Sequence, residues 1–273
     1  MVNLSGFADE IGPDLELQIE TLAGEGLRFL ELRGVWGKNV LDFTDTERRD
    51  IKKRLTDAGL GVSAIGSPIG KVRIDEPWKD HVERFKIALD TAEFFEAPYI
   101  RLFSYYPPKG GAIAPHRAEV IRRLNEQVQI AKGRRARLLH ENEKDIYGEK
   151  TDGCLDIARS VPGMGLIFDP ANFVQAGIRP PEAWRVLRDH VVYFHIKDAL
   201  LAGGNVVPPG EGDGGIPEIL RDALVTRRFQ GFLSLEPHLA AAGQFSGFSG
   251  PDLYKKAVQC LKRILDGLGA EYA

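Results

Sequence analysis

Eight times along its 273 residues, this chain follows a short apolar run with a longer stretch whose apolar residues fall on one helical stripe. Short continuous or alternating apolar runs argue for strands, and a 3.6-residue period argues for helices. Strands are expected at Val2–Ala8, Phe29–Leu32, Val62–Ile65, Tyr99–Ser104, Arg137–Glu141, Met164–Asp169, Val191–Lys197 and Gly231–Glu236. Helices are expected between them, among them Trp78–Phe95, Ala114–Ala131, Pro181–Leu187 and Ile216–Val225, with Leu253–Leu268 closing the chain. Each helix returns the chain to the edge where its strand began, so successive strands lie parallel. Eight such units suit closure into a single (β/α)8 TIM barrel spanning residues 1–273. The competing arrangement is a doubly wound open sheet. No GxGxxG follows the first strand to favour its dinucleotide-binding form, and no linker rich in Pro, Gly or Ser divides the chain.

Four of the expected strands deliver a polar group at their C-terminal end: Glu141, Asp169, His195 and Glu236. Taken alone, a strand-end carboxylate is about as often a helix cap or ion-pair partner, and a lone histidine is often a hydrogen-bonded core residue. In a barrel the C-terminal strand ends share one mouth, and these four belong to the fifth, sixth, seventh and eighth strands in succession. Three carboxylates and an imidazole meeting there would repel and raise one another's pKa values unless a cation intervened. The set suits one divalent metal, Mn²⁺ first, with Mg²⁺, Co²⁺ or Zn²⁺ as alternatives.

Charge and cysteine content narrow the classes. A formal net charge of -3 and the lack of a basic stripe give no reason to expect nucleic-acid binding. Cys154 and Cys260 form no CxxC and no disulfide framework, which suits free thiols. No apolar run is long enough to span a membrane, and the first ten residues do not read as a signal peptide, so a cytoplasmic location is expected.

Several segments carry a resemblance. FDPANF at 168–173, FHIKDA at 194–199, Glu141-Asn142-Glu143, LEPH at 235–238, GFADEI at 6–11, LELR at 30–33 and GEGDG at 210–214 are similar to the xylose isomerase-like barrel superfamily, especially its sugar isomerase and epimerase branch. The resemblance implies one divalent metal held by Glu141, Asp169, His195 and Glu236, with Glu141 and Glu236 also serving as acid and base on a carbohydrate substrate. Chemistry supports that independently, because a proton beside a sugar carbonyl becomes removable only when the developing enediolate is stabilised. Epimerisation, aldose–ketose isomerisation and dehydration by a lyase use the same groups, and a non-catalytic metal-binding barrel stays open beside them. The superfamily's DNA-repair branch, with three zinc ions and extra histidines, fits poorly. His81, His116, His140 and His190 are badly placed for the rim, and Asn172 stands where a further histidine would help.

Supporting groups are expected at Glu31, Arg101, Asn172, Lys197 and His238, as substrate-binding residues around the same mouth. Glu143 reads more as a surface acid. Leu200–Gly215 is expected to be a positioning loop or lid, its Glu211 and Asp213 arguing against phosphate. The Gly/Ser-rich loop at Ala240–Pro251 is the better candidate for holding a phosphate but is expected first to cover a sugar, with Trp36, Phe245 and Phe248 as apolar walls. Monomer and homo-oligomer both fit.

Overall fold

The computed structural model describes residues 1–242 and 247–273. Eight strands form one ring: β1 Asn3–Gly6, β2 Phe29–Leu32, β3 Gly61–Ile65, β4 Tyr99–Leu102, β5 Arg137–Glu141, β6 Gly165–Phe168, β7 Val191–Ile196 and β8 Phe232–Leu235. They pair in parallel in the order β1-β8-β7-β6-β5-β4-β3-β2. A single bridge between Phe7 and Glu31 brings β1 back to β2. The result is a (β/α)8 barrel.

The helices are α1 Leu15–Gly24, α2 Asp45–Asp57, α3 Trp78–Phe95, α4 Arg117–Ile130, α5 Thr151–Ser160, α6 Pro170–Gln175, α7 Pro180–Leu187, α8 Ile216–Leu220 and α9 Gly250–Leu268. Local chemistry sets their ends. Asp14 caps α1 by accepting from the Leu17 N–H, and Thr44 with Glu47 makes a reciprocal capping box on α2. Along α9, Tyr254, Ala257, Val258, Leu261 and Leu265 are buried on one stripe, each large apolar side chain contributing about 1.5–3 kcal/mol. Tyr254 approaches β1 so closely that a Cβ at Gly6 would lie 1.9 Å from its hydroxyl, which explains a glycine inside a strand.

Boundaries differ from expectation where local chemistry intervened. β1 stops at Gly6 because Ala8–Glu10 turns into a 3-10 helix, which aims Asp9 and Glu10 across the barrel mouth. The sequence reading missed α6. Pro170 ends the strand but also opens a helix, since the first helical position has no hydrogen bond for proline to lose. The helix expected over Ile216–Val225 changes to π geometry at Arg221–Thr226. Among the described residues, no helix is long and apolar enough to cross a membrane. Cys154 and Cys260 are buried free thiols.

The barrel interior is layered. Ala64, Leu139, Ile167 and Tyr193 form a small apolar cluster inside the ring. A polar chain runs towards the C-terminal mouth: Ser5 Oγ lies 2.6 Å from Ser63 Oγ, and Ser63 Oγ 2.9 Å from the Tyr193 hydroxyl. Tyr193 and Ser234 then donate to Glu31 Oε2 at 3.0 and 2.9 Å. Glu31 is the floor of the site above.

Candidate metal centre and active site

Glu141 is the last residue of β5, Asp169 follows β6, His195 lies next to the end of β7, and Glu236 follows β8. Convergence of the strands brings one donor atom from each within 4.8 Å of the others, all four residues buried. Each sits where the local backbone holds it. Asp169 Oδ1 caps α6 by accepting from the Asn172 N–H at 3.0 Å. Asn142 ties the ends of β5 and β6 together, donating to the Asp169 carbonyl at 2.9 Å and accepting from its N–H at 3.0 Å.

Each glutamate has one oxygen turned into the cluster and one held from outside. Glu141 Oε1 lies 2.9 Å from His195 Nδ1, while Arg101 Nη1 holds Oε2 at 3.1 Å. Glu236 Oε2 lies 3.6 Å from His195 Nδ1 and 3.2 Å from Lys197 Nζ, whereas Arg33 Nη1 holds Oε1 at 2.9 Å. Asp169 Oδ2 is 2.7 Å from Lys197 Nζ yet makes no hydrogen bond of acceptable geometry. His195 turns Nδ1 to the cluster because Nε2 is engaged by Glu31 Oε2 at 3.1 Å. Phe7 packs edge-on against the imidazole, its ring centroid 5.1 Å away.

These donors fit a divalent cation. A buried carboxylate oxygen without a hydrogen bond, two further carboxylates and an imidazole nitrogen face one point, and a carboxylate behind the imidazole fixes which nitrogen is offered. Hard oxygen donors with one nitrogen match the borderline divalent ions.

The charges are unevenly stabilised. Burial raises the Glu141 carboxyl, but His195 and Arg101 outweigh it and hold the group down at about 2. Burial likewise works against ionised Glu236, but Lys197, His238 and His195 keep it well below the usual range. Asp169 is pushed up to about 7 by burial, which Lys197 offsets only in part and Glu141 and Glu236 reinforce. Burial disfavours the charged His195 ring, yet Glu141 and Glu31 raise its pKa well above normal. Lys197 stays charged against the same burial because Asp169 and Glu236 face it.

The five supporting residues are all at or beneath this mouth. Arg101 also lies 3.7 Å from Glu236, and Asn172 Nδ2 donates to Glu141 Oε1 at 3.3 Å. His238 Nε2 is 3.2 Å from Glu10 Oε1 and 3.4 Å from Glu236 Oε1. Glu31 is fully buried under His195 rather than open at the rim. Glu143 is half-buried and pairs with Lys71 at 2.8 Å, so it is not a free surface acid. His140 turns away from the cluster to Ser104, 2.9 Å from its hydroxyl. The GEGDG loop folds around Asp198 and Phe248 lines a cavity beside the mouth, while Phe245 lies outside the described residues.

Three residues escaped the sequence reading as site residues: Asp9, Glu10 and Arg33. Arg33 pairs with Asp9 and Glu236, and burial pushes Glu10 up to about 8 despite Arg33 nearby. The alternation of LELR was a usable signal, since Leu30 and Leu32 share one face and Glu31 and Arg33 the other.

No curated protein sequence matches this one significantly. Solved structures share its fold at low identity. A D-tagatose 3-epimerase-like protein superposes with a TM-score of 0.76 at 16% identity, covering 98% of each chain. The D-psicose 3-epimerase from Clostridium cellulolyticum H10, solved with D-tagatose, gives 0.73 at 14% identity over 98% of both chains. The probable 3-DHS dehydratase AsbF of Bacillus anthracis gives 0.74 at 17%, over 96% of this chain and 99% of that one. At such identities these likenesses establish the fold alone. The sequence profile described as xylose isomerase-like TIM barrel matches residues 19–264, so with the rim cluster in place the chain belongs to that family.

Proposed function

We propose that the protein is a divalent-metal-dependent isomerase or epimerase acting on a sugar or keto sugar, by proton transfer through an enediolate with Glu141 and Glu236 as the acid/base pair. The observation that carries this reading is the pair of buried glutamates on β5 and after β8, each turning one oxygen into the same cluster. A cation held by Glu141, Asp169, His195 and Glu236, with Mn²⁺ the first choice, would supply stabilisation of the charge that develops on the sugar carbonyl oxygen.

The chain's own groups do the rest. Glu141 and Glu236 are held ionised, the form that accepts a proton. One removes the proton beside the carbonyl. The other, ionised at rest, takes a proton from solvent and returns it to the opposite face for epimerisation or to the neighbouring carbon for isomerisation, while the first gives its proton up to solvent. Arg101 fixes Glu141 and Arg33 fixes Glu236 through their outer oxygens, so the inner oxygens keep their aim. Lys197, Asn172 and His238 are the groups proposed to meet substrate oxygens. Glu31 would act through His195.

A second reading is a lyase or dehydratase on a keto sugar or cyclitol. It is favoured by the Lys197 ammonium, a buried proton donor beside Asp169 and Glu236, and by the fold shared with the probable dehydratase. The deciding experiment incubates the purified protein with Mn²⁺ and a panel of free and phosphorylated keto sugars in D₂O. Metal-dependent deuterium uptake beside the carbonyl, with product mass otherwise conserved, supports isomerase or epimerase. Loss of water from product supports the lyase. No exchange with any sugar overturns the first reading.

A further inference from the structure

The two glutamates of the cluster are held by different parts of the backbone. Glu141 belongs to β5 and pairs with Ile167 of β6. Glu236 is one residue beyond β8, and its N–H makes the last sheet bond there, to the Ile196 carbonyl at 3.2 Å. Pro237 follows and has no N–H to give. His238 comes next at φ 47°, a left-handed conformation that a residue with a Cβ keeps only where its surroundings impose it. The sheet therefore does not hold the backbone on the far side of Glu236.

Glu10 does. Its side chain is fully buried in the 3-10 turn after β1, and Oε2 accepts from the His238 N–H at 2.7 Å and from the Ser249 hydroxyl at 3.0 Å. Ser249 Oγ accepts in turn from the Leu239 N–H at 3.0 Å, and the Ser249 N–H donates to the Glu10 carbonyl at 2.9 Å. Beyond these bonds the two segments pair with each other, Ala241–Ala242 against Gly247–Phe248. One carboxylate oxygen thus ties both roots of that hairpin to the end of β1. A Cβ at Gly247 would lie 1.7 Å from the His238 ring, so the ring is wedged against the returning strand. Glu10, Glu236 and His238 also converge within 4.8 Å, as a second metal site would, but Arg33 Nη1 lies 2.9 Å from Glu236 Oε1 and already supplies the cation there.

We propose that Glu10 is a positioning residue for Glu236: through Oε2 it locks His238 and Ser249 together, and that joint fixes where the Glu236 carboxylate points. The acceptor oxygen matters and the charge does not, because Glu10 Oε1 makes no hydrogen bond. The proposal rests on Glu236 as a metal ligand, and on the proposed isomerase or epimerase function only for its effect on turnover.

The test compares Glu10→Gln, which keeps an oxygen acceptor, with Glu10→Met, which keeps the bulk and loses the acceptor. The readouts are amide hydrogen exchange at His238 and Leu239, Mn²⁺ affinity by calorimetry, and turnover of any sugar that takes up deuterium. In Glu10→Met the two amides are expected to exchange at least about 10-fold faster. Mn²⁺ should bind about 10–100-fold more weakly, and kcat should fall about 10²-fold. Glu10→Gln should stay within about threefold of the wild type throughout, since it loses no hydrogen bond. Ser249→Ala should move exchange and affinity in the same direction and serves if the methionine variant folds poorly. The double variant should be no worse than Glu10→Met alone, because one joint cannot be opened twice. Wild-type exchange or Mn²⁺ affinity in Glu10→Met overturns the proposal. So does Glu10→Gln as impaired as Glu10→Met, an additive double variant, or a wild type that binds no Mn²⁺. The expected exchange and affinity pattern in a protein that turns over no sugar would instead overturn the isomerase or epimerase function and leave the joint standing.

Discussion

Two neighbouring sets of buried carboxylates at the barrel mouth are satisfied in opposite ways. Asp198, just beyond β7, is wrapped by backbone. Its Oδ2 accepts from the N–H groups of Gly210 and Gly212 at 2.8 and 3.1 Å, and its Oδ1 from those of Gly214 and Ala199 at 2.8 and 2.9 Å. Glycines are required there because a Cβ at Gly212 or Gly214 would lie 2.4 or 2.6 Å from Asp198 Oδ1. Glu141, Asp169 and Glu236 are faced mainly by side-chain cations instead: Arg101, Lys197, Arg33 and His195. Backbone amides cannot leave without unfolding the loop, whereas a side-chain cation can yield its oxygen to another. The first arrangement anchors a loop, and the second leaves donors that can be exchanged. The glycine-rich segment is therefore not a phosphate cradle, since its amides are already committed to Asp198.

That contrast can be broken at several points. The largest effect is expected from Glu141→Gln or Glu236→Gln, which should lower turnover by about 10²–10⁴-fold at saturating metal with the circular dichroism of the folded barrel retained. Near-normal turnover in either would remove the acid/base assignment. Asp198→Ala should instead cost about 2–4 kcal/mol of unfolding free energy, by orphaning buried N–H groups. Chemical denaturation measures this, and metal affinity should stay within about threefold, because the loop anchor is separate from the donors. A large loss of metal affinity without a loss of stability would erase the distinction.

Glu31→Gln probes the layer beneath. It should weaken metal binding by about 10–100-fold, since the glutamate fixes the His195 nitrogen that faces the cluster. Calorimetric titration showing unchanged affinity would demote it to packing. The smallest effect is the pH dependence. Asp169 is raised to about 7, so below that pH a proton occupies a group that a metal needs ionised. His195, also raised, keeps its proton in the same range. Metal affinity should therefore increase from about pH 6 to about pH 8 with proton release on binding, which calorimetry in buffers of different ionisation enthalpy reads directly. A flat profile would count against these ligands.

Much of this molecule was legible in order of residues alone. The eightfold alternation fixed the parallel strands, because no other return path suits short apolar strands separated by amphipathic helices, and the number of units favoured a closed barrel over a doubly wound open sheet. Strand-end position made Glu141, Asp169, His195 and Glu236 candidates for one cluster, since the barrel converts distance along the chain into adjacency around a ring. Family motifs lay on those same strands. The identity of each group's partner was not legible. Asp198 faces amides because a loop twelve to sixteen residues away folds back over it, and Asp169 faces a lysine because the neighbouring strand end presents Lys197.

Tertiary structure alone decided the rest. Arg33 and Glu236 stand 203 residues apart in sequence and meet only because β1, β2 and β8 close the ring. Glu31 looked like a rim residue by its place in β2, but the stagger of the strands sets it below His195. Alternation along a strand fixes which face a side chain takes, a local property of the backbone. Depth within the barrel and the opposing charge depend on neighbouring strands, and these determine whether a carboxylate stays ionised.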